Sequence, residues 1–245
     1  MFWKQRRSNL TTTCIVLVLA VLMFCLPILA KTPPPAPSPT PSPIKLPTPP
    51  PQGNSGRRAS AGTRGECQSD KPLTALVQET SFSLTTAEYP TLFVYIPQTD
   101  AKSAEFVLAD ENKGDIYQGK FNIASKSGVF SLTLPVGSIL PALEVGKNYH
   151  WGFSLICDAE DRARDVNING SIQRVNLSAD LVPKLENASM RDRINIYLKE
   201  GIWHDAFTTL ASLRRENPND SSLAKEWANM LQQVDLKDIA EEPIN

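Results

Sequence analysis

Reactive side chains are scarce in this sequence. Its 245 residues include two histidines, His150 and His204, and four cysteines. There is no His-Glu-x-x-His or Cys-x-x-Cys pair, no Gly-x-Ser-x-Gly elbow, no phosphate loop and no dinucleotide fingerprint. The compact-motif classes of zinc hydrolase, serine hydrolase and nucleotide-dependent enzyme are thereby excluded. Neither histidine has a partner at metal-ligand spacing, so both read as lone surface side chains. No metal, no cofactor and no catalytic residue is expected.

Acidic residues are missing from positions 1–65, where Lys4, Arg6, Arg7, Lys31, Lys45, Arg57, Arg58 and Arg64 stand unopposed. All 26 acidic side chains fall in 66–245 against the remaining 17 basic ones, a net charge of −9 there. A body of that sign repels phosphate backbones and argues against a nucleic-acid partner.

The basic leader has the three zones of a Sec-type export signal. Lys4, Arg6 and Arg7 form a positive start, Cys14 to Leu26 is nearly unbroken apolar sequence, and Pro27 precedes the small-residue cleavage pattern Ile28-Leu29-Ala30. Ser8-Asn9-Leu10 after the arginine pair, with so apolar a run beyond it, fits Sec rather than twin-arginine export. Phe24 stands where a lipoprotein signal needs a small residue before Cys25. Two fates fit residues 1–30. They are either removed as a signal peptide or retained as an anchor, since Thr11 to Ala30 as a helix would rise about 30 Å. Contact with a membrane is expected only through this segment, if it is retained. Residues 31–65 read as a disordered, basic, proline-rich linker. Eleven of the twenty residues 32–51 are proline, which favours an extended spacer, and the glycine- and serine-rich stretch 52–65 follows as a joint.

From 66 to 177 the texture is that of strands. Seven are predicted: Leu73–Gln78, Leu92–Ile96, Ala104–Ala109, Asp115–Ile123, Gly128–Leu134, Asn148–Cys157 and Val166–Val175. Asn148–Cys157 alternates, with Tyr149, Trp151, Phe153, Leu155 and Cys157 on one face. Leu92–Ile96 is apolar on both faces, as a central strand would be. No long helix separates the strands, so parallel βαβ units are excluded. The expected fold is mainly β: an antiparallel two-sheet sandwich at 66–177, followed by a small all-α helical tail at 178–240. Leu155 occupies the position where an immunoglobulin domain carries its corner tyrosine, so the sandwich is not of that type.

Helical spacing marks Arg191–Lys199, Trp203–Glu216 and Ser221–Val234, with Trp203, Ala206, Phe207, Leu210 and Leu213 along one stripe. Tyr197, Gly201, Ala206, Leu210 and Pro218 resemble one tetratricopeptide-type repeat. A single unit is too short to form a peptide groove of its own, and a helical appendage packed on the sandwich is the expected arrangement.

Cys14 and Cys25 lie in the leader, which leaves Cys67 and Cys157 as the two cysteines of the exported part. An even pair in an oxidising compartment reads as a disulfide, with two free thiols or an intermolecular bridge as the other possibilities. The densest polar cluster, 158–165, offers Asp158, Glu160, Asp161 and Asp165 to a calcium ion. Arg162 and Arg164 sit among them, so a salt-bridged loop is expected, and the acids from Asp110 to Asp115 decorate a hairpin turn. These readings describe an exported cell-envelope protein with a non-catalytic binding or structural role, its partner an envelope protein or peptide. The alternative is a hydrolase of envelope glycans or peptides with scattered carboxylates. Oligomeric state is left open.

Six stretches carry a family likeness. They are Leu73-Thr74-Ala75-Leu76-Val77, Tyr89-Pro90-Thr91 with Tyr95-Ile96-Pro97, Ala104-Glu105-Phe106-Val107-Leu108, Leu143-Glu144-Val145-Gly146-Lys147, Phe153 through Asp158, and Gly201 through Ala206. Over about 66–240 the chain resembles the domain-of-unknown-function family nine hundred and twenty-eight, known mainly from cyanobacteria. The resemblance implies the compartment and fold above and assigns no activity or site.

Overall fold

The computed structural model describes residues 56–60, 67, 69–123, 126–137 and 139–245. The leader and the proline-rich stretch of the linker lie outside them. Among the described residues there are eight strands: β1 Thr74–Ala75, β2 Phe82–Thr85, β3 Thr91–Ile96, β4 Ser103–Asp110, β5 Gly114–Asn122, β6 Gly128–Thr133, β7 Asn148–Ile156 and β8 Val166–Arg174. Four helices follow: α1 Leu181–Asn187, α2 Met190–Lys199, α3 Trp203–Glu216 and α4 Ser221–Gln232. The strands form a three-stranded sheet in the order β1-β3-β6 and a five-stranded sheet in the order β2-β8-β7-β4-β5. All pairings are antiparallel except β2 with β8. The fold is a two-sheet sandwich followed by a helical tail.

The apolar character of β3 on both faces has a direct cause. Leu92, Val94 and Ile96 point into the sandwich, against Phe106, Trp151, Phe153 and Ile168. Phe93 and Tyr95 point the other way, with Leu76 and Val129, into a second core formed with the helices. The small sheet is therefore a middle layer, covered by the large sheet on one side and the helical tail on the other. β7 shows the alternation expected of a strand with one dry face: Tyr149, Trp151, Phe153 and Leu155 are buried and the residues between them are not.

Local signals place the helices. Ser189 caps α2 through the Asp192 N–H, and Asp220 caps α4 through the N–H groups of Ser222 and Leu223. Gly201, at φ 72°, ends α2 in the left-handed conformation that glycine adopts without a Cβ penalty. Two elements escape the sequence patterns. β2 is a four-residue strand rich in serine and threonine, and α1 is a seven-residue helix with Pro183 in its first turn.

The boundary of the linker also differs from its sequence reading. Residues 56–60 are seated on the sandwich, ahead of Cys67. Ser60 N–H donates to the Leu73 carbonyl at 3.0 Å and Ala75 N–H to the Arg58 carbonyl at 2.8 Å, which extends the small sheet beyond β1. Asn169 N–H in β8 donates to the Arg57 carbonyl at 3.0 Å, so the same strap reaches the large sheet. A Cβ on Gly56 would lie 2.6 Å from the Asn169 carbonyl oxygen, and only glycine fits that approach. Backbone hydrogen bonds outweigh the low apolar content that made this stretch look like a joint. One side of the sandwich, where β1 and β8 face each other, is thus laced shut.

Candidate functional site

The acidic segment after β7 is partly neutralised by its own two arginines. Arg162 donates to Asp165 at 2.6 Å and to Glu105 at 2.9 Å, and its guanidinium holds the Glu105 carboxyl below the usual range. Asp161 accepts from Arg164 at 3.0 Å and from the Ala163 N–H, and Asp158 caps the Glu160 N–H. At the β4–β5 turn, the Lys147 ammonium lies 2.5 Å from Asp110 and lowers that carboxyl's pKa. Among the described residues, no three or more histidine, cysteine or acidic side chains converge as a metal site would require. His150 is half-buried and shares a hydrogen bond with the Ser171 hydroxyl at 2.9 Å. Cys67 and Cys157 are joined as a disulfide with Cα atoms 5.3 Å apart.

Opposite the laced side, the sandwich stays open. β5 and β6 are the outer strands of their sheets there, and a groove of about 400 Å³ runs between them. Phe121 and Ile123 form one wall, Phe130 and Leu132 the other, and Val94, Ile96 and Phe153 the floor. Volume and lining suit an apolar side chain or short chain, in the size range of ligand pockets. Asn122, Ser131 and Thr133 border these apolar walls, and none of the residues lining the groove is acidic, basic, a histidine or a cysteine.

A second, smaller cleft of about 190 Å³ lies between the β2–β3 turn and helices α2 and α3, beside His204, Asp205 and Tyr197. Here the structure corrects the sequence reading: His204 is 2 % exposed, not a surface residue. Its neighbour in sequence, Trp203, was the visible core residue, and the turn at 85–91 covers the next position as well. Asp205 latches that turn. Its carboxylate accepts from the Thr85 hydroxyl at 2.8 Å, the Thr86 N–H at 3.0 Å and the Thr86 hydroxyl. With its oxygens so engaged, Asp205 is a structural clasp, and burial pushes its carboxyl up.

A family model described as Domain of Unknown Function (DUF928) matches residues 59–244. The chain belongs to the DUF928 family. The DUF928 match starts inside the strap, at Ala59, which bridges to Thr74, and so takes in the structured end of the linker. It also spans both walls of the groove. No curated protein matches the chain.

Burial gives the DUF928 domain of this chain an acid-sensitive point. His204 bonds to the Thr91 backbone, its Nε2 is buried with no partner among the described residues, and desolvation pushes its pKa down to about 4 from 6.5. Above pH 6.5 the ring is neutral in folded and unfolded chains alike. As pH falls below 6.5 the unfolded chain takes up the proton first, so stability drops until the folded ring also protonates near pH 4. The expected loss is about 2 kcal/mol between pH 7 and pH 5. Denaturant unfolding at both pH values checks it against His204→Gln, which should flatten the difference. An equal difference in both proteins would remove His204 as its source. The raised carboxyl of Asp205 acts in the opposite sense, regaining stability as pH falls through its raised folded value toward 3.8, and it does so equally in the parent and in His204→Gln.

Proposed function

We propose that this protein is exported to the cell envelope and binds an apolar segment of a partner there, without catalysis. The observation that carries the reading is the apolar groove between β5 and β6. Folding normally covers such a surface, and monomeric proteins keep large apolar openings mainly where something docks. The leader supports the compartment: a positive start, an apolar run and a small-residue cleavage pattern, followed by a spacer that would hold the domain away from a membrane.

The binding half is tested with anilinonaphthalene sulfonate, a dye that brightens in apolar sites. The full chain should enhance its emission saturably, and Leu132→Asp, which places a carboxylate on the groove wall, should abolish the enhancement while leaving the far-ultraviolet spectrum unchanged. A dye response identical in the variant would refute the groove as the site. The export half is tested by cell fractionation and by the amino terminus of the mature chain. A cytoplasmic chain would overturn it, whereas a chain starting at Lys31 or an intact membrane-held chain both support it.

A further inference from the structure

The main chain along the groove's lip names the ligand more closely, and this inference rests on the groove being a binding site. In β6, residues of alternate parity turn their N–H and C=O groups toward β3 or away from it. Val129 turns outward: its N–H donates to the Pro243 carbonyl at 2.7 Å, and its carbonyl accepts from the Asn245 N–H at 2.8 Å. Residues 243–245 thus add a short parallel strand to this edge, with Ile244 beside Val129. The next residues of the same parity are Ser131 and Thr133. Both stand opposite β3 in the same outward-facing register as Val129, at Phe93 and Thr91, and no main-chain partner among the described residues meets their outward groups. Two donors and two acceptors therefore extend the ladder beyond the Val129–Ile244 pair, along the rim of an apolar groove.

Side-chain directions add a sequence preference. Phe130 and Leu132 face the groove, whereas Ser131 faces the helices, where the exposed Arg215 guanidinium donates to its hydroxyl at 2.9 Å and to the Asn245 main-chain oxygen at 3.0 Å. In a strand laid along β6, the residue beside Ser131 shares that face and meets the arginine. The residues on either side of it turn into the groove. We infer that the β6 edge takes an extended peptide of a partner protein, with an acidic residue at Arg215 and apolar residues flanking it. A free fatty chain could fill the same groove and would ignore both the ladder and the arginine. Strand addition uses both, with main-chain bonds for affinity and alternate side chains for specificity.

The test uses the full chain and the synthetic peptide acetyl-Val-Asp-Val-Thr-Val-amide, with laurate and anilinonaphthalene sulfonate as the apolar probes. Thr133→Pro deletes one outward N–H and keeps the main-chain bonds to β3, as an edge strand tolerates, and Thr133→Val, which loses only the hydroxyl contact with Thr91, is its control. The proline variant should weaken the peptide at least tenfold and leave both apolar probes unchanged. Arg215→Glu should weaken the same peptide and favour its Val-Lys-Val-Thr-Val counterpart. Apolar probes that bind while the peptide does not, or a peptide indifferent to both variants, would overturn strand addition and leave the groove as an apolar site. Failure of every probe would overturn the groove itself.

Discussion

Phe207→Ala is expected to cost about 3–5 kcal/mol of folding stability, the range for deleting a fully buried phenyl ring. Phe207 in α3 has no exposed surface and is the meeting point of the helix–sheet core. Its ring contacts Phe93 of β3 edge-on at 4.9 Å, Trp203 one turn earlier at 5.6 Å and Trp227 of α4 at 4.6 Å. Three elements lose a partner at once, and each aromatic contact is worth more than its buried area alone. Trp203 is held independently, its indole N–H donating to the Leu76 carbonyl at 3.0 Å. The rest of the cluster therefore closes only partly over the void. Denaturant titration followed by tryptophan emission reads the change, since Trp203 and Trp227 both flank the ring. Met190→Ala, on an exposed side chain of α2, should stay within about 0.5 kcal/mol of the parent and serves as the control. A loss at Phe207 no larger than that of the control would mean that the helices are not held through this ring.

The periodic elements were legible because their burial is one-sided or complete. β7 showed its buried face as strict alternation, β3 showed its central place as apolar residues on both faces, and α3 showed its stripe at helical spacing. Three features were not legible, each for a physical reason. The β2 strand earns its place only by pairing with β8, whose partner residues lie some ninety positions later, and its serines and threonines carry no hydrophobic pattern. The strap at 56–60 is held by main-chain bonds that any sequence with the right glycine can make. The groove is an opening, and openings depend on which strands become the outer ones. β5 and β6 each alternate like any half-buried strand, and only the sheet order places their apolar residues on facing rims. His204 belongs with these: helical phase alone places it beside a core residue, and a turn more than a hundred residues earlier decides its burial.

Replacing both Cys67 and Cys157 with serine is expected to lower stability by about 4–5 kcal/mol, on the chain-entropy account of a crosslink. The bond joins residues 90 apart, so it closes a loop that holds most of the sandwich. Cys67 follows the strap, and Cys157 directly follows β7, the middle strand of the large sheet. Losing the bond frees the unfolded chain most. In the folded state the strap keeps its hydrogen bonds to Leu73, Ala75, Ser81, Asn169 and the Val234 carbonyl. Measured losses for such bonds commonly fall at 2–5 kcal/mol because the folded state relaxes, so a shift in the denaturation midpoint of that order is the expected reading. Mass spectrometry of the alkylated, unreduced chain should find no free thiol, and two alkylated cysteines would remove the premise. The same chemistry couples stability to compartment. A chain produced without residues 1–30 and kept in a reducing cytosol should carry both thiols free and unfold at the midpoint of the double-serine variant. An exported chain should unfold at the higher one, so the two midpoints report where the protein matured.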